Sequence, residues 1–298
     1  MAHHPLRIDR IAYRAFSGGQ AYSAADKAYF TDLADHHGLA PHDDVLAAGH
    51  TSFTAMTDAL LGQLPPPTAP YDLLLLAHAA PDSEAGWPVC RACAVVPVDG
   101  PAFSLSDQGV AVPFTALRVV ADHAARRALL LVMDQGTRPV GPPVPAGERG
   151  ATGVALVLTD DGALGGVRVD QHAGVGPAQV PGLMESALAT AGDCSVILGA
   201  ALTPHWPAAG RCGPAGGRTL YRAHAGRPCT GLWTRLADEL PSLSRHGGRL
   251  LLADYDPALG YLGLCTVDVS PETGPASSGR SSRTANSTSS RSTPSRNA

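Results

Sequence analysis

The chain has little charge and no long apolar run. Only 16% of its 298 residues are charged, and the formal net charge is −4, so no global basic field exists to attract nucleic acid or an anionic membrane. Apolar runs such as Leu73–Ala77 and Ala128–Met133 fall far short of the roughly 20 residues that cross a bilayer. The opening MAHHPLRIDR lacks an apolar h-region and a small-residue cleavage site, which predicts a cytoplasmic protein.

Cysteine is also sparse and forms no framework. Six thiols stand at 90, 93, 194, 212, 229 and 265, and without an export signal they read as free. Cys90-Arg-Ala-Cys93 is a lone CxxC, better read as two thiols on one helix face. A zinc site would need a second pair at similar spacing, and Cys212 and Cys229 do not supply it, so no metal is expected, and no cofactor.

What the chain does hold is apolar material: 44% of its residues are hydrophobic, enough for one large domain or two fused halves with a shared core. An amphipathic stretch from Thr51 to Leu64 is broken by the prolines of 65–70. Tyr71–Ala77 follows as a continuous apolar run of strand length, the pattern of a strand buried on both faces. Pro101–Leu105 reads as a short strand, Pro113–Arg126 as a helix and Ala128–Met133 as a second buried strand, a βαβ order that implies a right-handed parallel crossover. Thr152–Leu158 and Val167–Asp170 read as a strand pair across the turn signal Thr159-Asp-Asp-Gly162.

The second half repeats the alternation, with helices at Pro181–Ala191 and Thr230–Leu240 and strands at Ser195–Leu198, Arg249–Ala253 and Gly260–Val267. These elements predict an α/β layer structure duplicated over residues 1–160 and 161–269. The repeat is one of architecture, since no residues match between the halves. Residues 270–298 are rich in Ser, Thr, Arg, Pro and Gly and hold no aromatic or large aliphatic side chain. Such a composition cannot offset an ordering cost of roughly 1–2 kcal/mol per residue, and a disordered tail is expected.

The order of these pieces resembles the thiolase superfamily, and within it the ketoacyl-carrier-protein synthase III-like branch, over roughly residues 45–269. The resemblance rests on YDLLLLAHAAPD (Tyr71–Asp82), AFSLSDQGVAVPFTALRVVADHAARRALLLVMDQ (Ala102–Gln135), GERGATGVALVLTDDG (Gly147–Gly162), LTPHW (Leu202–Trp206), GRPCTGLWTRLADEL and GRLLLADYDPALGYLGLCTV. None is specific alone; their order carries the likeness. It implies a five-layer αβαβα fold of two similar halves that forms a homodimer, or a heterodimer with a related synthase. It also implies a site between the halves for an acyl carrier protein or acyl-CoA thioester. Active members place a cysteine at a helix N-terminus, where the dipole and backbone N–H groups favour thiolate and oxyanion, with a histidine and an asparagine beside it.

Carried over residue by residue, the resemblance puts the nucleophile slot on Gln108, Gly109 and Val110, none of which can carry an acyl group. Ser104 and Ser106 lie before the helix and have no adjacent base, and read as local hydrogen-bonding residues. His205 fits the catalytic histidine by its Pro-His context, and the asparagine position falls on Arg227, which cannot accept a proton but can pair with a carboxylate or phosphate. Cys229 lies close to that position, and His78, His172 and His224 read as strand-end or loop residues. The expectation is a degenerate ketosynthase III-like protein of polyketide, antibiotic or fatty-acyl biosynthesis, either a partner subunit or a thioester-binding protein. The alternative is a decarboxylase or non-covalent acyltransferase in which His205 works with Gln108 as oxyanion donor.

Overall fold

Alternation within the strands explains the architecture. The computed structural model describes residues 6–82, 84, 86–136, 139–140, 150–207 and 218–271. Ten strands form one sheet: β1 (Arg7–Phe16), β2 (Leu73–His78), β3 (Ala102–Leu105), β4 (Arg127–Asp134), β5 (Ala151–Thr159), β6 (Gly165–His172), β7 (Ser195–Leu198), β8 (Leu220–Arg222), β9 (Gly248–Asp256) and β10 (Tyr261–Val269). Their spatial order is β3-β2-β4-β5-β1-β6-β10-β9-β7-β8. Read outward from the centre, 1-5-4-2-3 is matched by 6-10-9-7-8, with the same senses: β2 is parallel to β3 and β4, β7 to β8 and β9, and the remaining neighbours are antiparallel.

The helices are α1 (Ala24–His36), α2 (Asp43–Ala48), α3 (Phe53–Leu61), α4 (Pro88–Val95), α5 (Val112–Asp122), α6 (Val180–Ala191) and α7 (Gly231–His246). Because successive strand residues face opposite ways, Leu73, Leu75 and Ala77 of β2 and Leu250 and Leu252 of β9 meet α5 and α7 in one cluster. Leu74 and Leu76 turn outward to α3 and α4, while Leu251, Ala253 and Tyr255 turn outward to α6. The result is five layers, αβαβα, with α5 and α7 in the middle, where Phe114 and Trp233 pack with ring centroids 5.8 Å apart. Burying each such Leu contributes about 1.5–3 kcal/mol, on the inner and outer faces of the strands alike.

Three details depart from the sequence reading. β5 and β6 are not a hairpin: β1 lies between them, pairing with β5 along its length and with β6 through Arg7↔Gly166 and Ile8↔Gly165. β1 was not legible as a strand because much of it is half-exposed and carries mixed polar residues, so neither period stands out. Helix α7 runs past the expected stop at Leu240, with Pro241 inside it. Leu243 and Ser244 pack down onto the core beyond the proline, and that burial holds the last turn despite the lost N–H. Of the expected tail only Ser270 and Pro271 lie among the described residues; Cys212 and Gly147–Arg149 lie outside them.

Candidate active site

The N-termini of the two central helices meet, and each faces a carboxylate from the opposite half. Asp134 is the last residue of β4 and Asp256 the last of β9. Asp134 is 5% exposed and accepts from the N–H groups of Cys229 (3.0 Å) and Thr230 (2.7 Å) and from the Thr230 hydroxyl (2.8 Å). It thereby satisfies donors left over at the start of α7. Burial nevertheless pushes its carboxyl above the ordinary range, against the pull of those bonds.

At α5 the chain makes a strand, a strained turn, a 3₁₀ turn over Gly109–Ala111, and then the helix. Asp107 has φ 64° and Gly109 φ 51°, the left-handed region that a side chain adopts only at a cost. Asp107 is the strained residue of this strand-to-helix turn, whose local shape is similar to a nucleophile elbow; Gly109, at a φ that glycine adopts freely, brings no side chain to it. A Cβ built on Gly109 would lie 1.7 Å from Asp256 Oδ2. The same oxygen lies 3.4 Å from the N–H of Val110, which donates to it, while Asp256 Oδ1 accepts from Ala258 and Leu259 N–H at 3.0 Å.

The residues singled out from sequence divide into two groups. Gly109, Val110 and Cys229 come together: the Cys229 thiol is 3.6 Å from the Gly109 carbonyl oxygen, to which it donates. Cys229 is 1% exposed, and burial, with the Asp134 charge beside it, pushes its thiol well above the usual value. Such a thiol is a poor nucleophile. Gln108 sits next to the turn, but its side-chain oxygen accepts from Thr115, one turn into α5, whose hydroxyl also lies 3.1 Å from Gln171 of β6.

His205 and Arg227 make contacts of their own. The His205 ring meets Tyr255 edge-on at 5.1 Å, and Tyr255 belongs to the outer cluster with α6. Arg227 is half-buried and its charge acts on Tyr13 of β1, whose hydroxyl is raised chiefly by its bond to Asp238, with Arg227 opposing. Ser104 is exposed on β3, and the Ser106 hydroxyl donates to Asp107 at 2.7 Å. His78 lies 2.7 Å from the Ala80 carbonyl through Nδ1, His172 lies 3.3 Å from Asp170, and His224 lies 3.6 Å from Asp238. Cys90 and Cys93 are both exposed on α4. Among the described residues no group of three or more His, Cys, Asp or Glu could hold a metal ion, and no helix is long and apolar enough to cross a membrane.

Asp134, Asp254 and Asp256 were missed as site residues, although LLLVMD and LLADYD carry the signal: carboxylates ending buried apolar runs. Asp254 is 4% exposed and accepts from Leu202 N–H at 3.2 Å and Tyr255 N–H at 2.9 Å. It therefore ties β9 to the turn that carries His205. Burial raises its carboxyl to about 7.

No protein-family model matches the chain, and no curated protein does. Solved structures do match it. A 3-oxoacyl-(acyl-carrier protein) synthase from Burkholderia xenovorans LB400 is 15% identical with a TM-score of 0.58, over 90% of this chain and 95% of that one. ChlB3, described as an acyltransferase, is 17% identical with a TM-score of 0.56, over 90% and 98%. The ishigamide ketosynthase/chain length factor is 14% identical with a TM-score of 0.52, over 73% and 79%. At these identities the likeness establishes the fold: a mixed α/β fold matching the thiolase-like condensing enzymes.

Proposed function

We propose that this chain is a catalytically degenerate ketosynthase III-like protein that binds an acyl-carrier or acyl-CoA thioester, or pairs with a cysteine-bearing synthase, without itself forming an acyl-enzyme. The observation that carries this reading is the elbow at residues 107–112, where a strained strand-to-helix turn presents bare glycine. Acyl transfer needs a nucleophilic side chain there and a free N–H for the developing oxyanion. Gly109 lacks the first, and the N–H of Val110 is spent on Asp256. The thiol beside the turn, Cys229, is buried, and burial pushes it well above its usual value.

Polyketide or fatty-acyl biosynthesis is the setting that suits such a protein, because similar folds include an acyltransferase and a ketosynthase/chain length factor. The decarboxylase reading would use His205, which packs edge-on against Tyr255, and the amide N–H groups of Gln108, whose side-chain oxygen accepts from Thr115.

The test is incubation of the purified protein with malonyl- and acyl-thioesters of coenzyme A and of a carrier protein. We expect no carbon dioxide, no released thiol and no mass-shifted protein, with thioester binding or co-purification of a cysteine-bearing synthase as the positive result. Turnover that disappears in His205→Ala would overturn this reading and favour the alternative with His205 and Gln108.

A further inference from the structure

We propose that Asp256 is a built-in anionic occupant of the elbow, and that glycine at 109 and aspartate at 256 form one coupled pair: either a side chain projects from 109 or a carboxylate fills the space, not both. The proposal deepens the functional reading and rests on residues 107–112 being the acceptor position. It stands on geometry alone. Asp256 Oδ2 lies 1.7 Å from where a Cβ at 109 would be, and its carboxyl carbon 2.9 Å from it. Real Cβ atoms do not approach other atoms that closely, so a cysteine or serine at 109 cannot coexist with the carboxylate in this pose.

The carboxylate is also held in place. Oδ1 accepts from Ala258 and Leu259 N–H, each at 3.0 Å, and Oδ2 from Val110 N–H at 3.4 Å. Asp256 ends β9, and its backbone carbonyl accepts from Gly260 N–H at 2.8 Å, so strand and turn together fix the position from which the carboxylate reaches across to α5. A negatively charged oxygen already placed beside the Val110 N–H of the helical turn is what an acyl oxyanion would otherwise be. The wild-type pocket therefore excludes a reacting carbonyl twice, by volume and by charge. Removing the nucleophile alone would have left an open hole; here the hole has an occupant.

The experiment compares five proteins: wild type, Gly109→Cys, Asp256→Ala, and Gly109→Cys combined with either Asp256→Ala or Asp256→Asn. Folding is read by thermal midpoint and near-ultraviolet circular dichroism. Access to position 109 is read by peptide-mapped alkylation with iodoacetamide, in which the thiolate displaces iodide. We expect Gly109→Cys to lower the midpoint by several degrees more in the aspartate background than in the alanine one. We also expect alkylation at 109 to be at least tenfold faster in the double variant with alanine. The Asn double variant keeps the volume and removes the charge, and is expected to stay hindered.

Equal midpoints and equal alkylation rates for Gly109→Cys with and without Asp256→Ala would overturn the proposal. So would full rescue by Asn, which would assign the exclusion to charge alone. If Gly109→Cys does not fold by itself, Gly109→Ala in both backgrounds gives the same comparison by midpoint, because the clash begins at Cβ. These readouts use no thioester. An acyl adduct on the wild-type protein would therefore refute the functional reading, while equal rates in the variants would refute the pairing of Gly109 with Asp256.

Discussion

The two central helices begin alike and are secured differently. α7 starts against Asp134, which is buried and takes three donors at 2.7 to 3.0 Å. α5 starts against Asp256, which is half-buried, gives most of its bonding to its own turn and reaches the helix only at 3.4 Å. The halves thus exchange carboxylates across the central layer, each closing the helix of the other. One exchange is a structural lock; the other plugs a slot.

Breaking the lock should have the largest effect. Asp134→Ala leaves the N–H groups of Cys229 and Thr230 and the Thr230 hydroxyl buried without their acceptor, which costs about 3 kcal/mol or more. Urea unfolding would register this as a lower midpoint with little change in slope. A loss below 1 kcal/mol would mean that α7 does not depend on the carboxylate.

Asp254, on the same strand as Asp256, comes next. Its folded value of about 7 lies above the ordinary 3.8, so the folded state keeps a proton that the unfolded chain releases. The stability this group contributes is whole below about pH 4 and is lost as the pH rises towards 7, at about 1.4 kcal/mol per pH unit across that window. Asp254→Asn keeps an acceptor for Leu202 and Tyr255 and cannot ionise. It should flatten that slope and stabilise the protein at pH 8 by at most a few kcal/mol, measured by unfolding at pH 5 and pH 8. Parallel pH profiles for the two proteins would contradict this.

The smallest effect belongs to the plug. Asp256→Ala removes bonds that are long or solvent-exposed, and should cost about 1 kcal/mol or less in unfolding experiments. A loss as large as that of Asp134→Ala would erase the distinction between lock and plug.

Much of the layer structure could be read before any coordinates. Leu73–Ala77 and Ala128–Met133 announced strands buried on both faces, and Phe114, Leu117 and Val120 announced the inward face of α5; the structure places them there. One edge strand, β8, and the central strand β1 were not legible, one for its three-residue length and the other for its mixed exposure. Within the site, motif order singled out the turn at residues 108–110 and, separately, Cys229, but not the contact between Gly109 and Cys229. Nor were the roles of Asp134, Asp254 and Asp256 legible, because a strand-ending aspartate has the same local pattern whether it faces water or a buried N–H.

By itself the sequence determined which runs are apolar, in what order strands and helices alternate, and that no thiol stands between residues 102 and 117. These are properties of local spacing and composition. Only the tertiary structure decided that β1 would part β5 from β6, that His205 would turn to Tyr255, and that Asp256 would stand in front of Gly109. Each of these depends on atoms far apart in the chain competing for one volume, and close packing lets a single group occupy it.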